Sequence, residues 1–314
     1  MKKNPLVVVC GPTSSGKTSL ALRLCHEFGG EIISADSRQV YRHMDVGTGK
    51  LPVTKSEIEI KKGNGMWEVG GIPVWLYDVV APNQNFTVVE YGRRAVAEIE
   101  GCWRRGKIPF LVGGTGFYID VVLGKSAVAG VPPDFELRRE LEKLSTGELF
   151  EKLRGLDFQR AETIDPQNPR RLIRAIEVAV ASSEGVTRRA VNCASTGYVH
   201  HFGLAAPRQV LYARADRWAE AIVSSGSLID EVYDLLDRGY RETPVMRGIV
   251  YRTALGFVDQ KVTRAAMLER IQFDLHGYIR RQLTWFKRDK TIHWVDISEP
   301  GFDKRVADAL RSKL

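Results

Sequence analysis

Apolar and polar positions follow two periods along this chain. Residues 6–10, Leu-Val-Val-Val-Cys, form a short unbroken apolar run, the mark of a strand buried on both faces, and Leu20, Ala21, Leu24 and Phe28 then recur as one face of a helix. Further β-type runs lie at 31–34, after Gly29-Gly30, at 72–80 and at 108–112. Thr87-Val88-Val89-Glu90 has the form of a capping box and opens a helix through Ile99 towards Arg105. Between these elements, Gly47, Gly49, Gly63, Gly65, Gly70 and Gly71 interrupt a charged stretch at 44–71, which reads as surface or lid. From about 126 to 195 the pattern turns helical and charged, with little β signal, which predicts an inserted lobe. A return to strand is expected at 209–214, helices at 216–238 and 264–288, a short strand at 293–297 and a last helix at 303–314.

The turn between the first strand and first helix carries the chemistry. Gly11-Pro12-Thr13-Ser14-Ser15-Gly16-Lys17-Thr18 fits G-x-x-x-x-G-K-[ST] in the strand–loop–helix context that this P-loop pattern requires. Backbone amides of such a loop cradle an oligophosphate at a helix N-terminus, Lys17 neutralises it, and the Thr18 hydroxyl can take Mg²⁺. The expected fold is therefore α/β: a P-loop NTPase-like parallel sheet flanked by helices, with core residues 1–125 and 196–314 around a helical lobe at 126–195. In a doubly wound sheet the end of the 31–34 strand opens beside the loop, which places Asp36 near the phosphates. A carboxylate there can hold Mg²⁺ through water or act as a general base; a turn or helix-capping aspartate is the alternative. Gly113-Gly114-Thr115-Gly116 is a second glycine-rich turn at a strand's carboxyl end. The loop specifies a phosphate rather than a reaction, since kinases, ATPases and transferases that release diphosphate share it.

Composition narrows the class. With 314 residues, 44% of them hydrophobic, the chain can bury a full α/β core. No run approaches the roughly 18 apolar residues of a membrane span, and the start is too short for a signal-peptide core, so a cytoplasmic protein is expected. Cys10, Cys25, Cys102 and Cys193 are far apart and lack metal-ligand spacing, which makes them reduced core thiols. A formal charge of +8 favours a polyanionic partner.

Several separated motifs together resemble the tRNA dimethylallyltransferase family (isopentenyl-diphosphate:tRNA transferases). They are the loop Gly11-Pro12-Thr13-x-Ser15-Gly16-Lys17-Thr18; Ile33-Ser34-Ala35-Asp36-Ser37-Arg38-Gln39-Val40-Tyr41; Met44-Asp45-Val46-Gly47-Thr48; Leu111-Val112-Gly113-Gly114-Thr115-Gly116-Phe117-Tyr118; Asn168-Pro169-Arg170-Arg171; and Arg280-Arg281-Gln282-Leu283-Thr284-Trp285-Phe286. The resemblance implies transfer of a dimethylallyl group from dimethylallyl diphosphate to the exocyclic amine of an adenosine beside the anticodon of tRNA. Diphosphate would leave from the loop, with Mg²⁺ as cofactor at Thr18. It makes Asp36 the general base and Thr115 a residue of the reaction channel, and of Arg214 and Arg217 it is Arg217 that is expected to reach the diphosphate. Ser37, Arg38 and Gln39 would contact the flipped base. Arg138, Gln167, Asn168, Pro169, Arg170 and Arg171 in the lobe, with Arg247, Arg252, Arg280 and Arg281, would grip the anticodon stem-loop. Lys287 and Arg288, interleaved with Tyr278, Trp285 and Phe286, extend that patch, with a place in the core as the alternative for Trp285 and Phe286. A monomer is expected.

The chain departs from the family pattern at Val74-Trp75-Leu76, in a long segment around 61–71, at Ser183-Glu184-Gly185-Val186-Thr187 and at Ile249-Val250-Tyr251, where a β-branched residue replaces a glycine. A small-metabolite kinase would use the loop and Asp36 but not the Ser-Arg-Gln motif. An ATP-gated RNA-binding module would use the basic patch but needs no carboxylate base.

Overall fold

The computed structural model describes residues 4–50, 58–126, 128, 130–183 and 198–314. The chain divides into two compact units, Met1–Leu123 with Asn192–Leu314, and Gly124–Val191.

The first unit is built on an eight-stranded sheet: β1 (Pro5–Cys10), β2 (Gly30–Ser34), β3 (Ile60–Lys62), β4 (Met66–Val69), β5 (Ile72–Trp75), β6 (Ile108–Gly113), β7 (Tyr198–Ala205) and β8 (His293–Asp296), in the order β3-β4-β5-β2-β6-β1-β7-β8. Pairing is parallel from β5 through β8. It is antiparallel at β3–β4 and β4–β5, so the sheet is mixed rather than parallel throughout. The segment read as surface or lid thus contains two strands of a meander, turned at Gly65 (φ 83°) and at Gly70-Gly71 (φ 55° and 77°).

Alternation along β1 assigns its side chains to two layers. Val7 and Val9 point into one apolar cluster with α1 (Lys17–Phe28), α8 (Arg208–Ser224), α9 (Ser227–Asp237), α10 (Ile249–Val258), α11 (Arg264–Phe286) and α12 (Phe302–Arg311). Leu6, Val8 and Cys10 point into the other, with α2 (Val88–Arg104) and α3 (Gly116–Val122). The Thr87 hydroxyl caps α2 by accepting from the Glu90 N–H at 3.2 Å. Residues 209–214, expected as a strand, are the first turns of α8; the strand is β7, and the β-prone Val210, Leu211 and Tyr212 are overridden by the helical face that buries Leu211, Ala215 and Ala219. Cys10, Cys25 and Cys102 are buried thiols; Cys193 lies outside the described residues, as do positions 184–187 and the expected domain boundary at 195.

The second unit holds α4 (Phe135–Leu141), α5 (Thr146–Leu156), α6 (Phe158–Thr163) and α7 (Pro169–Ser183) around Leu141, Leu149, Leu153, Leu172 and Ile176. Here Arg138 is committed within the lobe. Its guanidinium forks onto the buried Glu177 carboxylate at 2.7 and 2.9 Å, while Arg174 and the Asp134 N–H bond the same group. Burial alone would raise the Glu177 carboxyl, but the bonds from Arg138, Asp134 and Arg174 outweigh it and hold the group below its ordinary value. The pair therefore stabilises the lobe above the usual carboxyl pKa of 4.5 and ceases to as the pH falls through the lowered value. Arg138→Ala is expected to cost about 1–3 kcal/mol in urea unfolding at neutral pH, with the difference from wild type shrinking in acid. An unchanged midpoint at neutral pH would return Arg138 to the pool of surface charges. At the start of α7, Asn168 Oδ1 accepts from the Arg171 N–H at 3.2 Å and Pro169 occupies the first helical position, so this pair serves as a helix start. Arg170, Arg171 and Gln167 are exposed.

Candidate active site

β2, β6 and β1 are neighbours in the sheet, so the loops leaving their carboxyl ends are neighbours too. Residues 11–16 follow β1, Ala35-Asp36 follow β2 and Gly114-Thr115 follow β6. They pack backbone to backbone. A Cβ at Gly113 would lie 2.1 Å from the Ala35 carbonyl oxygen, and one at Gly11 2.5 Å from that of Leu204. Ala35 N–H donates to Val112 O at 2.7 Å and Thr115 N–H to Ala35 O at 3.1 Å.

These loops open into a cavity of about 740 Å³. Thr13, Ser14, Gly16, Lys17 and Thr18 line one side; Gly11, Pro12 and Ser15 are buried within the loop behind them. Gly16, at φ 83°, ends the loop and starts α1, directing the first amides of that helix to the same side. Lys17 Nζ donates to Pro12 O at 2.7 Å, curling over the loop. Burial lowers its ammonium pKa to about 8, against the opposing pull of Asp36 and Cys10.

Asp36, Ser37, Arg38 and Gln39 line the facing wall. Asp36 lines the cavity, and its Oδ1 accepts from the Arg38 N–H at 2.9 Å in an Asx-turn. Thr115 stands behind them: its Oγ1 accepts from the Ser37 N–H at 3.0 Å, which fixes the turn carrying Asp36. It therefore supports the cavity wall rather than lining it. Tyr278 of α11 interacts with Thr115 and lines the cavity; burial and the nearby Asp36 charge push its phenol upward.

Of the two candidate arginines, Arg214 and Arg217, Arg214 faces the cavity, its guanidinium against Gly16, and Arg217 is exposed outside the lining. The resemblance pointed to Arg217; in the observed helix, Arg214 shares the inward side with Trp218 at i+4, and Arg217 turns to solvent. Burial, and then the neighbouring Arg217 charge, lower the Arg214 pKa.

Arg281 lines the cavity, 5.8 Å from the Tyr278 ring centroid, while Arg280 is exposed and donates to the Tyr212 hydroxyl at 3.3 Å. Arg247 is exposed at the end of a short 3₁₀ helix, Pro244–Arg247, and Arg252 is paired with Asp274 at 2.9 Å. Phe286 belongs to the core at 2% exposure, and Trp285 donates to Asp120 at 2.9 Å beneath Arg288. The Phe286 ring is thus core, while the Trp285 ring is half-buried beneath the Arg288 guanidinium. Val250 lines the cavity inside α10 with ordinary helical φ, so the strain expected of a β-branched residue in place of glycine does not arise.

Other contributors had no role assigned from sequence. Gln282 is buried on the apolar face of α11; its Oε1 accepts from the Thr13 N–H at 2.8 Å and its Nε2 donates to Gly114 O at 2.9 Å, tying two of the loops together. The signal was a glutamine in register with Leu275, Ile279 and Phe286, where a polar residue needs partners. Gly47, Thr48, Gly49, Tyr77, Trp218 and Leu275 complete the walls. Among the described residues no cluster of three or more His, Cys, Asp or Glu could hold a metal, and no helix is long and apolar enough to cross a membrane.

With this geometry the chain can be set beside known proteins. A family model described as IPP transferase matches residues 39–289, and one described as isopentenyl transferase matches residues 4–63. The tRNA dimethylallyltransferase of an Exiguobacterium species is 39% identical, over 96% of this chain and 94% of the relative. That of Thermomicrobium roseum is 34% identical, over 100% and 92%. Among solved structures, the tRNA isopentenylpyrophosphate transferase of Bacillus halodurans superposes with a TM-score of 0.69 at 32% identity, covering 99% of this chain and 97% of that one. The mixed sheet with flanking helices, the cavity at its carboxyl edge and these matches across nearly the whole length agree: the chain belongs to the tRNA dimethylallyltransferase, or IPP transferase, family.

Proposed function

We propose that the protein transfers the dimethylallyl group of dimethylallyl diphosphate to the exocyclic amine of the adenosine next to the anticodon in tRNA, releasing diphosphate. The observation that carries this is the placement of Lys17 and Asp36 in one cavity, an ammonium on the phosphate side and a carboxylate facing it. Gly11 to Thr18 acts as a P-loop whose ligand is the leaving group. Its amides and Lys17 bind the diphosphate, and Arg214 closes on it from α8. The apolar wall at Ile32, Val112, Val250 and Leu275 excludes water from the allylic carbon. The amine nitrogen attacks that carbon, the carbon–oxygen bond to diphosphate breaks with its electron pair going to the departing oxygen, and the amine proton passes to Asp36. Loop amides and the two cations are already aimed at where negative charge grows.

The donor set also suits Mg²⁺. The Thr18 hydroxyl lines the cavity together with the phosphate loop, and a small hard dication is commonly held by one or two protein oxygens plus the phosphates. When bound it would add positive charge to the diphosphate.

The target base must leave the anticodon loop to enter the cavity, which costs least for an unpaired base. Ser37, Arg38 and Gln39 meet it, and Arg247, Arg280, Arg281, Arg170 and Arg171 offer positive charge to the stem-loop phosphates. The protein works as a cytoplasmic monomer in this scheme. Mass spectrometry of nucleosides from tRNA incubated with the protein and dimethylallyl diphosphate should show one prenyl mass on adenosine. No gain on tRNA, with phosphorylation of a small metabolite by ATP instead, would replace this function with that of a kinase.

A further inference from the structure

The Glu231 carboxylate on α9 accepts four hydrogen bonds: from the N–H groups of Asp45 and Val46 at 2.6 Å each, from the Gly47 N–H at 3.0 Å and from the Tyr251 hydroxyl at 2.7 Å. Three successive amides converging on one anion form a nest, here filled by the protein's own side chain. The turn it holds has no slack. A Cβ on Gly47 would lie 2.6 Å from the Tyr251 ring, and on the other side buried Lys50 clamps Asp45 at 3.0 Å and Asp78 at 2.6 Å.

What the turn delivers is the Thr48 carbonyl. It accepts from Gln39 Nε2 at 3.3 Å, while Gln39 Oε1 accepts from the Ser34 hydroxyl at 2.9 Å. A carbonyl can only accept, so while Thr48 O keeps its place the Gln39 amide has one permitted orientation. One N–H and one lone pair of that amide remain for a ligand in the cavity, and they can serve a base edge only if the flip is fixed.

We propose that Glu231 is a positioning residue for base recognition, acting through the Asp45–Gly47 turn and the Thr48 carbonyl to set the orientation of Gln39. The inference rests on the cavity's being the site of prenyl transfer to a tRNA adenosine. The test is a double-mutant cycle of Glu231→Gln and Gln39→Ala, with tRNA and dimethylallyl diphosphate varied separately. Glutamine presents an N–H where the turn needs an acceptor, so E231Q is expected to lower kcat/KM for tRNA about 10- to 100-fold, with KM for the diphosphate unchanged. The double variant should be no worse than Q39A alone, because both act through one amide. Losses that multiply, or an E231Q loss shared equally by both substrates as general loosening would give, overturn the relay. If E231Q fails to fold, Tyr251→Phe, which removes one of the four bonds, should give a smaller loss for tRNA that is likewise non-additive with Q39A, and additivity there is equally fatal. A wild type that transfers no prenyl group overturns the function assigned to the cavity; normal wild-type transfer with additive losses overturns the role of Glu231 alone.

Discussion

Asp36→Asn is expected to lower kcat by about 10²- to 10⁴-fold, the usual contribution of a positioned general base, with little change in tRNA affinity. The substitution separates the turn role of the carboxylate from its proposed role as the base. Its Oδ1 accepts the Arg38 N–H at 2.9 Å, and an asparagine oxygen can keep that bond, so the turn presenting Ser37, Arg38 and Gln39 survives. What is lost is the ability to accept the proton of the amine. Asp36→Ala should lose the turn as well and weaken tRNA binding in addition. Single-turnover transfer under saturating tRNA and diphosphate reads the chemical step directly. A D36N rate close to wild type would limit Asp36 to a turn residue, the alternative that its place beside Ser37 first allowed.

Lys17→Ala should cost about 10²- to 10³-fold in kcat/KM for the diphosphate, comparable to removing one preorganised donor from a developing anion. Wild type should also carry a pH signature. Because burial lowers the ammonium pKa to about 8 from 10.5, the unliganded site loses its charge as the pH rises through about 8. Diphosphate restores the preference for the charged form, so binding between pH 8 and 10.5 takes up a proton. Calorimetry in buffers of different ionisation enthalpy measures that uptake, and zero uptake by wild type would remove Lys17 from the contact. Linkage to folding has the corresponding sign. The unfolded chain binds this proton more tightly, so Lys17 subtracts stability below pH 8, and the cost fades as the pH climbs towards 10.5.

The first strand, the loop and α1 were legible because the apolar run, the glycines and the helical spacing agree with one another there. The same agreement at β2 and β6 led to Asp36 and to the Gly113–Gly116 turn. The failures trace to weaker local signals. β3 has only 3 residues and β4 only 4, too short to show alternation against the glycines around them. Residues 209–214 were expected as a strand; once α8 is known to begin at Arg208, helical geometry settles which of Arg214 and Arg217 faces in. Trp285 and Phe286 illustrate a further limit, since an aromatic beside arginines has the same sequence whether it stacks on a base or fills a core. Glu231 was invisible for another reason: three of its four partners are backbone amides 184 to 186 positions away, and backbone groups leave no residue-type signal.

The Gln282 bridge constrains how such a chain can vary. Its two bonds, to Thr13 N–H and Gly114 O, pin one point of α11 against the loops that follow β1 and β6. Inserting a single residue anywhere between Arg264 and Gln282 would rotate one part of the helix against the other by about 100°. It would either pull Gln282 off the loops or swing Leu275 and Ile279 out of the core. Length changes are therefore forbidden along α11, which behaves as a ruler with its zero mark at the loop after β1.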